Sequence, residues 1–347
     1  MKKTLLLVAA AVALVACSKE ETLVQQAPEA IGFDNAFVEN STRSVNDPSW
    51  SNTNLFSNFA VYGYVENAPL FDNVKVSGSA LNGEWTYTNT QYWIAGAKYN
   101  FAAVAPYSNG AAGVFSVAAD GNDYVGTTLL PFTNNGTNDL LYAQNAQVVG
   151  ASDNNAKVAF TFRHILSKVK FSFENGYNAS TATIKVYDVK IENAYATATA
   201  TLGVNSTAWD NQAGTLVLDF GNASDDENTT ETKENAEVAY AYGATYESLN
   251  ERFLIPGDAP ATTYEKNGIS VTENAYKVTF KVDLLVNNTR VKTYNHTAYA
   301  KFAPVAGNAY DIKTVINAEN IDPEHEQEPI EFTVTTINKW TEGTVTM

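Results

Sequence analysis

Cys17 is the residue whose surroundings commit it most firmly to a chemistry. It is the single cysteine among 347 residues, so no intrachain disulfide can form. Lys2 and Lys3 precede an apolar stretch from Thr4 to Ala16, which has signal-peptide length and is too short to span a bilayer comfortably. Leu14-Val15-Ala16-Cys17 sets an aliphatic residue three positions before the cysteine and small residues just ahead of it. That is the recognition pattern of a bacterial lipobox. Cleavage before Cys17 would leave acyl chains on its sulfur and its new amine. Two chains hold a membrane far more firmly than one, at ~0.8 kcal/mol per buried methylene. The expectation is an exported, lipid-anchored protein with residues 1–16 as its signal peptide.

Other chemistry finds little purchase. The three histidines are His164 in a strand-like run, His296 in a polar stretch and His325 among acids, with no pair at metal-ligand spacing. No Gly-x-Ser-x-Gly elbow and no phosphate-cradling glycine loop occurs. Carboxylates are plentiful, but plentiful acids are usually a solvated face, and no glycosidase pair can be read from them. Asp226-Glu227-Asn228 suggests calcium ligands, yet the glycine and closing glutamate of an EF-hand are out of register. The expectation is no catalytic residue, no metal, no cofactor and no enzyme. Trp85 and Trp93, with Tyr87 and Tyr92 between them, could form a sugar-stacking platform, although strand aromatics more often pack in a core. A formal charge of −16, from 38 acids against 22 bases, repels nucleic acid and anionic lipid.

The elements that would position these residues read as strands. Period-two runs fall at 59–65, 99–104, 158–162, 168–173, 184–189 and 276–282. Alternation of this kind puts one set of side chains on a core and the other in water. Turn clusters such as Asp120-Gly121-Asn122-Asp123 and Asn134-Asn135-Gly136 separate them. Many short strands at this spacing predict β-sandwiches rather than a parallel sheet. After the leader and a tether, 347 residues allow two domains, and Glu174-Asn175-Gly176-Tyr177-Asn178 is the preferred boundary. Residues 221–236 carry no apolar side chain larger than alanine and read as an acidic loop. A second polar tract, 322–329, isolates a final alternating run, Ile330-Glu331-Phe332-Thr333-Val334-Thr335. A strand hung on a charged linker suits use somewhere else.

Several segments, taken in order, resemble the fimbrillins of Bacteroidales. They are Ala30-Ile31-Gly32-Phe33-Asp34-Asn35-Ala36-Phe37-Val38 with Asn40-Ser41-Thr42-Arg43-Ser44, then Tyr92-Trp93-Ile94, Tyr99-Asn100-Phe101 and Ala105-Pro106-Tyr107. Asp139-Leu140-Leu141-Tyr142-Ala143 and the run from Phe162 to Val169 continue the likeness, and Gly307-Asn308-Ala309-Tyr310-Asp311-Ile312 and Val334 before Trp340 close it. Ser18-Lys19-Glu20-Glu21 also resembles the charged tetrapeptide of surface-exposed lipoproteins in such bacteria. The resemblance implies a fold of two tandem transthyretin-like antiparallel β-sandwiches. It implies a pilus subunit that reaches the outer membrane as a lipoprotein and joins the fimbrium after processing. An arginine-specific protease would cut behind Arg43, leaving Ser44 as the new terminus. On this reading residues 17–43 form the lipidated tether and propeptide strand, 44–175 the first sandwich and 176–347 the second, with a candidate donor strand in 329–347.

Removing a strand that carries Ile31 and Phe33 would open an apolar groove flanked by unpaired strand edges, and such edges are templates for another chain. A strand bearing Ile330, Phe332 and Val334 would refill it, at roughly 5–9 kcal/mol for three buried anchors. Head-to-tail insertion does not close on itself, so it propagates a filament of identical or related subunits. The alternative is that 330–335 completes its own sandwich. Arg43 argues against a permanent anchor subunit and the terminal strand against a tip subunit, which leaves a shaft subunit first and a tip second. A host or glycan receptor is a further expected partner. The competing function is a monomeric surface lipoprotein that binds glycan through Trp85 and Trp93.

Overall fold

The structure is a computed structural model describing residues 29–38, 57–66, 68–79, 84–107, 114–117, 126–149, 157–177, 182–203, 205–222, 243, 245–248, 250–266, 268–324 and 330–337. Those residues form strands and no helix. In chain order they are β1 (Phe33–Val38), β2 (Asn58–Val65), β3 (Ala68–Ser79), β4 (Glu84–Thr86), β5 (Lys98–Ala105), β6 (Val114–Val117) and β7 (Gly126–Thr133). Then come β8 (Leu141–Val149), β9 (Val158–His164), β10 (Ser167–Asn175), β11 (Ala182–Ala194), β12 (Thr197–Leu202), β13 (Thr207–Ala213) and β14 (Leu216–Gly221). The last are β15 (Thr245–Glu247), β16 (Arg252–Leu254), β17 (Ala261–Lys266), β18 (Ile269–Asn274), β19 (Tyr276–Val286), β20 (Thr289–Ala300), β21 (Ala309–Ile316) and β22 (Thr333–Ile337).

The fold is an all-β sandwich architecture. A seven-stranded sheet in the order β1-β9-β8-β5-β2-β3-β4 packs on a four-stranded sheet, β13-β12-β7-β6. A second pair of sheets sets β10, β21 and β22, with β15 and β16 on the free side of β10, against β14-β11-β19-β20. The hairpin β17–β18 stands apart from these sheets, and Tyr264 on it stacks on Tyr299 of β20.

Alternation in the seven-stranded sheet does not divide core from water. Phe59, Val61, Phe101 and Ala103 point into an aromatic core, while Ala60, Tyr62, Ala102 and Val104 are buried on the opposite face against the second sheet. Small residues on that second face are what let another sheet approach at the usual ~10 Å spacing. Elsewhere the expected pattern holds, as in β9, where Val158, Phe160, Phe162 and His164 are buried and the residues between them are not.

The chain also crosses the expected boundary at 175/176 in both directions. β10 precedes it, yet pairs in parallel with β21 and contributes Val169, Phe171 and Phe173 to the second core. The hairpin β12–β13 follows it, yet β12 pairs with β7 of the first sandwich and buries Ala198, Ala200 and Leu202 there. Only Ile165 and Leu166 separate β9 from β10, and both are buried, so no polar linker marks the passage. Arg163 ties the hairpin down by donating from Nη2 to the carbonyls of Gly203 (3.0 Å) and Ser206 (2.5 Å) and to the Thr207 hydroxyl (3.0 Å).

Candidate assembly site

The sequence places Ile31 and Phe33 two residues apart, and in extended chain that spacing sends both side chains to one face. Both are 1% exposed. Phe33 meets five other rings, those of Phe59, Phe71, Tyr87, Phe101 and Phe160, at centroid separations of 5.5 to 6.2 Å. Edge-to-face contacts dominate, the favourable geometry for rings of this charge distribution. The backbone of this segment bonds on both sides. β1 runs parallel to β9, pairing Phe33 with Val158 and Val38 with Phe162, and Gly32 accepts a bond from Val158 N at 2.8 Å. On the other side Ile31 N donates to Gln91 O (2.8 Å), and Trp93 N donates to Glu29 O (2.9 Å). The segment therefore links β9 to residues 91–93 and closes over the aromatic core.

One side chain holds this closure directly. The Tyr87 hydroxyl donates to Ile31 O at 2.8 Å and accepts from Gln91 N at 3.1 Å. Burial raises its pKa, opposed by the bond from Gln91, so the hydroxyl stays a protonated donor. Sequence reasoning counted Tyr87 only among stacking aromatics. The signal for its actual role was its place one strand-turn from Gln91, which no one-dimensional pattern ties to Ile31.

The candidate donor segment lies at the edge of the second sandwich. β22 pairs antiparallel with β21 alone, with Val334 opposite Ile312 and Ile337 opposite Ala309. Ile330 is 9% exposed, and Phe332 and Val334 are partly buried against the same core. Phe332 meets the rings of Phe171 (5.8 Å) and Phe280 (6.4 Å). The Thr314 hydroxyl donates to Glu331 O at 2.8 Å. Beneath Phe280 lies His296, stacked on it at 5.0 Å and 4% exposed, and burial holds the imidazole pKa down at about 4.

A family model described as fimbrillin-like matches residues 42–340. The chain belongs to the fimbrillin-like family. Among solved structures it is similar to a candidate cell adhesion protein from Bacteroides uniformis, at 18% identity and TM-score 0.44, covering 90% of this chain and 99% of that one. A second, from Bacteroides ovatus, is 15% identical with TM-score 0.45, covering 91% and 99%. A third, from Parabacteroides distasonis, is 9% identical with TM-score 0.42, covering 93% and 99%. No curated protein matches.

Within this fimbrillin-like chain the remaining predicted residues fall as follows. Cys17, Arg43 and Ser44 lie outside the described residues, as do Trp50, His325, Trp340 and the acidic stretch from 223 to 236. Trp85 and Trp93 are buried, at 7% and 8% exposed, edge-on to Phe59 and Tyr99 respectively. A stacking platform needs an exposed ring face, so these two belong to the core instead. Buried His164 sets Nδ1 against the Asp139 carboxylate, whose other oxygen accepts from Leu140 N at 2.7 Å. No group of three or more histidine, acidic or cysteine side chains able to hold a metal ion occurs among the described residues.

Proposed function

We propose that this fimbrillin-like chain is a structural, non-catalytic subunit of a surface pilus, exported as a lipoprotein through Cys17 and polymerised by strand exchange after cleavage behind Arg43. The observation that carries this reading is the position of β1. With Ile31 just ahead of it, the strand supplies two fully buried side chains, one of them central to an aromatic core, from a segment that lies ahead of the family-matched residues 42–340. Arg43 falls five residues after β1 ends, so a cut there detaches the strand from the rest of the chain. Its loss would leave an apolar slot bordered by the free edges of β9 and of residues 91–93.

The chain carries its own candidate replacement. Ile330-Glu331-Phe332 repeats the Ile-x-Phe order of Ile31-Gly32-Phe33. Where glycine stands in the first, a Cβ would come within 3.0 Å of Lys157 Cγ, the stem of a flexible side chain that can give way. Glu331 in that place would lie along the stem and bring its carboxylate toward the ammonium. Partners follow from this scheme: further fimbrial subunits, an arginine-specific protease, the outer membrane before cleavage, and a host or glycan receptor for adhesion.

The test uses purified lipid-free protein treated with an arginine-specific protease and resolved by size under non-denaturing conditions. Ladders should appear with Ser44 as the new terminus by mass spectrometry, and should vanish in Arg43→Ala and in Phe332→Asp. A cleaved chain that stays monomeric would overturn the reading.

A further inference from the structure

The sandwich formed by the seven-stranded sheet and β13-β12-β7-β6 does not fill its own interior at one end. A cleft of about 620 Å³ opens there, within the size range of small-molecule sites. Its floor is Ala60, Val104, Leu130 and Ala198, from β2, β5, β7 and β12. Two alanines and a valine stand where facing sheets normally interdigitate larger side chains across the gap, and the space they leave is the cleft.

The rim has a consistent chemistry. Carboxamides of Asn73, Asn135, Asn138 and Asn211 line it, together with the hydroxyls of Thr133, Thr197 and Thr199. Amides and hydroxyls both donate and accept hydrogen bonds. Pro106, Pro131 and Phe132 add flat apolar surfaces. Among the described lining residues the single carboxylate is Asp139, and His164 and Leu140 N already engage its two oxygens; Tyr62 also lines the cleft, its hydroxyl donating to Asn73 Oδ1 at 3.2 Å. Among the described lining residues none is basic, so no side-chain cation stands ready to pair with an anion.

Backbone recognition is also closed off. β2 lies between β3 and β5, β5 between β2 and β8, β7 between β6 and β12, and β12 between β7 and β13. Every strand on the floor has both edges paired, so an extended peptide could not add itself to a sheet here. A ligand must be read by side chains alone. It must present many neutral hydroxyl-type groups and an apolar face.

We propose that this cleft binds a neutral saccharide, with the asparagine and threonine rim taking the hydroxyls and Phe132, Pro106 and Pro131 taking the C–H face. This site is separate from Trp85 and Trp93 and does not depend on strand exchange.

The test titrates the full lipid-free chain with neutral trisaccharides (maltotriose, cellotriose, mannotriose and chitotriose) by calorimetry and by chemical-shift changes. A sialylated trisaccharide and a polyproline peptide serve as contrasts. Asn138 and Asn211 are exposed, so changing them spares the core. Asn138→Ala removes one amide. Asn211→Gly removes another while keeping the left-handed backbone that Asn211 adopts at φ 56°. At least one neutral trisaccharide should bind saturably, and the double variant should weaken it at least about tenfold, the equivalent of ~1.4 kcal/mol, at an unchanged melting temperature. Absence of neutral-sugar binding, retention of full affinity in the double variant, or preference for the sialylated sugar or the peptide would each overturn the proposal.

Discussion

The segment from Ile31 through β1 and the segment from Ile330 through β22 carry the same Ile-x-Phe signature at opposite ends of the described chain, yet the structure treats them differently. Phe33 is sealed among five rings, while Phe332 touches two and stays partly exposed. The cause lies in the neighbours rather than in the residues. The β1 segment bonds to β9 on one flank and to residues 91–93 on the other, whereas β22 has β21 alone. Apolar spacing decides which side chains turn inward. The number of flanking strands decides how completely they are covered. A segment bonded on both sides is held more firmly than one bonded on a single side.

The sharpest test of this contrast is truncation of the two phenylalanines. Phe33→Ala should cost about 3–5 kcal/mol of unfolding free energy, the range for an aromatic deleted from a sealed core. Phe332→Ala should cost about 1–2 kcal/mol, in proportion to its lesser burial. Denaturant titration reads both, and equal losses would erase the distinction.

Acid should discriminate between the two ends as well. His296 sits under Phe280, which in turn meets Phe332, and burial lowers its pKa to about 4 from 6.5. Between those values the unfolded chain binds a proton that the folded chain refuses, so stability falls as pH drops through that window and is unaffected above it. The largest loss is roughly 3 kcal/mol, at ~1.4 per pKa unit. Hydrogen exchange should show amides of the second sandwich losing protection first, and His296→Phe should lose this component while keeping the carboxylate-driven one. If β1 amides open first, the ranking of the two ends is wrong.

Smaller effects come from two hydroxyls that each donate to a carbonyl of a terminal segment. Tyr87→Phe strands Ile31 O inside the fold and should cost about 1–2 kcal/mol, whereas Thr314→Val leaves Glu331 O where water can replace the bond and should cost under about 1 kcal/mol. Thermal melts of the pair would show the order. Gly32→Glu should change stability least, by less than about 1 kcal/mol, since Lys157 can yield and is of opposite charge. A large loss there would break the equivalence drawn between Ile31-Gly32-Phe33 and Ile330-Glu331-Phe332.

Much of the strand pattern was legible in the sequence. The period-two runs at 99–104, 168–173 and 276–282 lie within β5, β10 and β19. Ile31 and Phe33, two apart in the sequence, are both buried. What could not be read is what lies on the far face of a strand. Ala60, Ala102 and Val104 look like solvent-side positions until a second sheet covers them. The domain boundary was hidden for a related reason: the turn at Asn175-Gly176 looks like a linker, while the actual passage between sandwiches is two buried aliphatic residues, Ile165 and Leu166. Trp85 and Trp93 went to the core, the commoner fate of strand aromatics, but a ring in a strand does not itself say which side is wet. Tyr87 and the cleft depend on pairings between residues far apart in the chain, for which no local pattern exists.

The hairpin β12–β13 has a mechanical consequence. The chain leaves the second sandwich, lays β12 against β7 in the first, folds β13 onto β12 and returns, with Arg163 pinning the turn. Under tension between its two sandwiches the chain would therefore not hang by one thread at Ile165-Leu166. Tension would divide between that thread and a lap joint of laterally bonded strands loaded in shear, where many hydrogen bonds must fail together. Such a joint stretches little and breaks late.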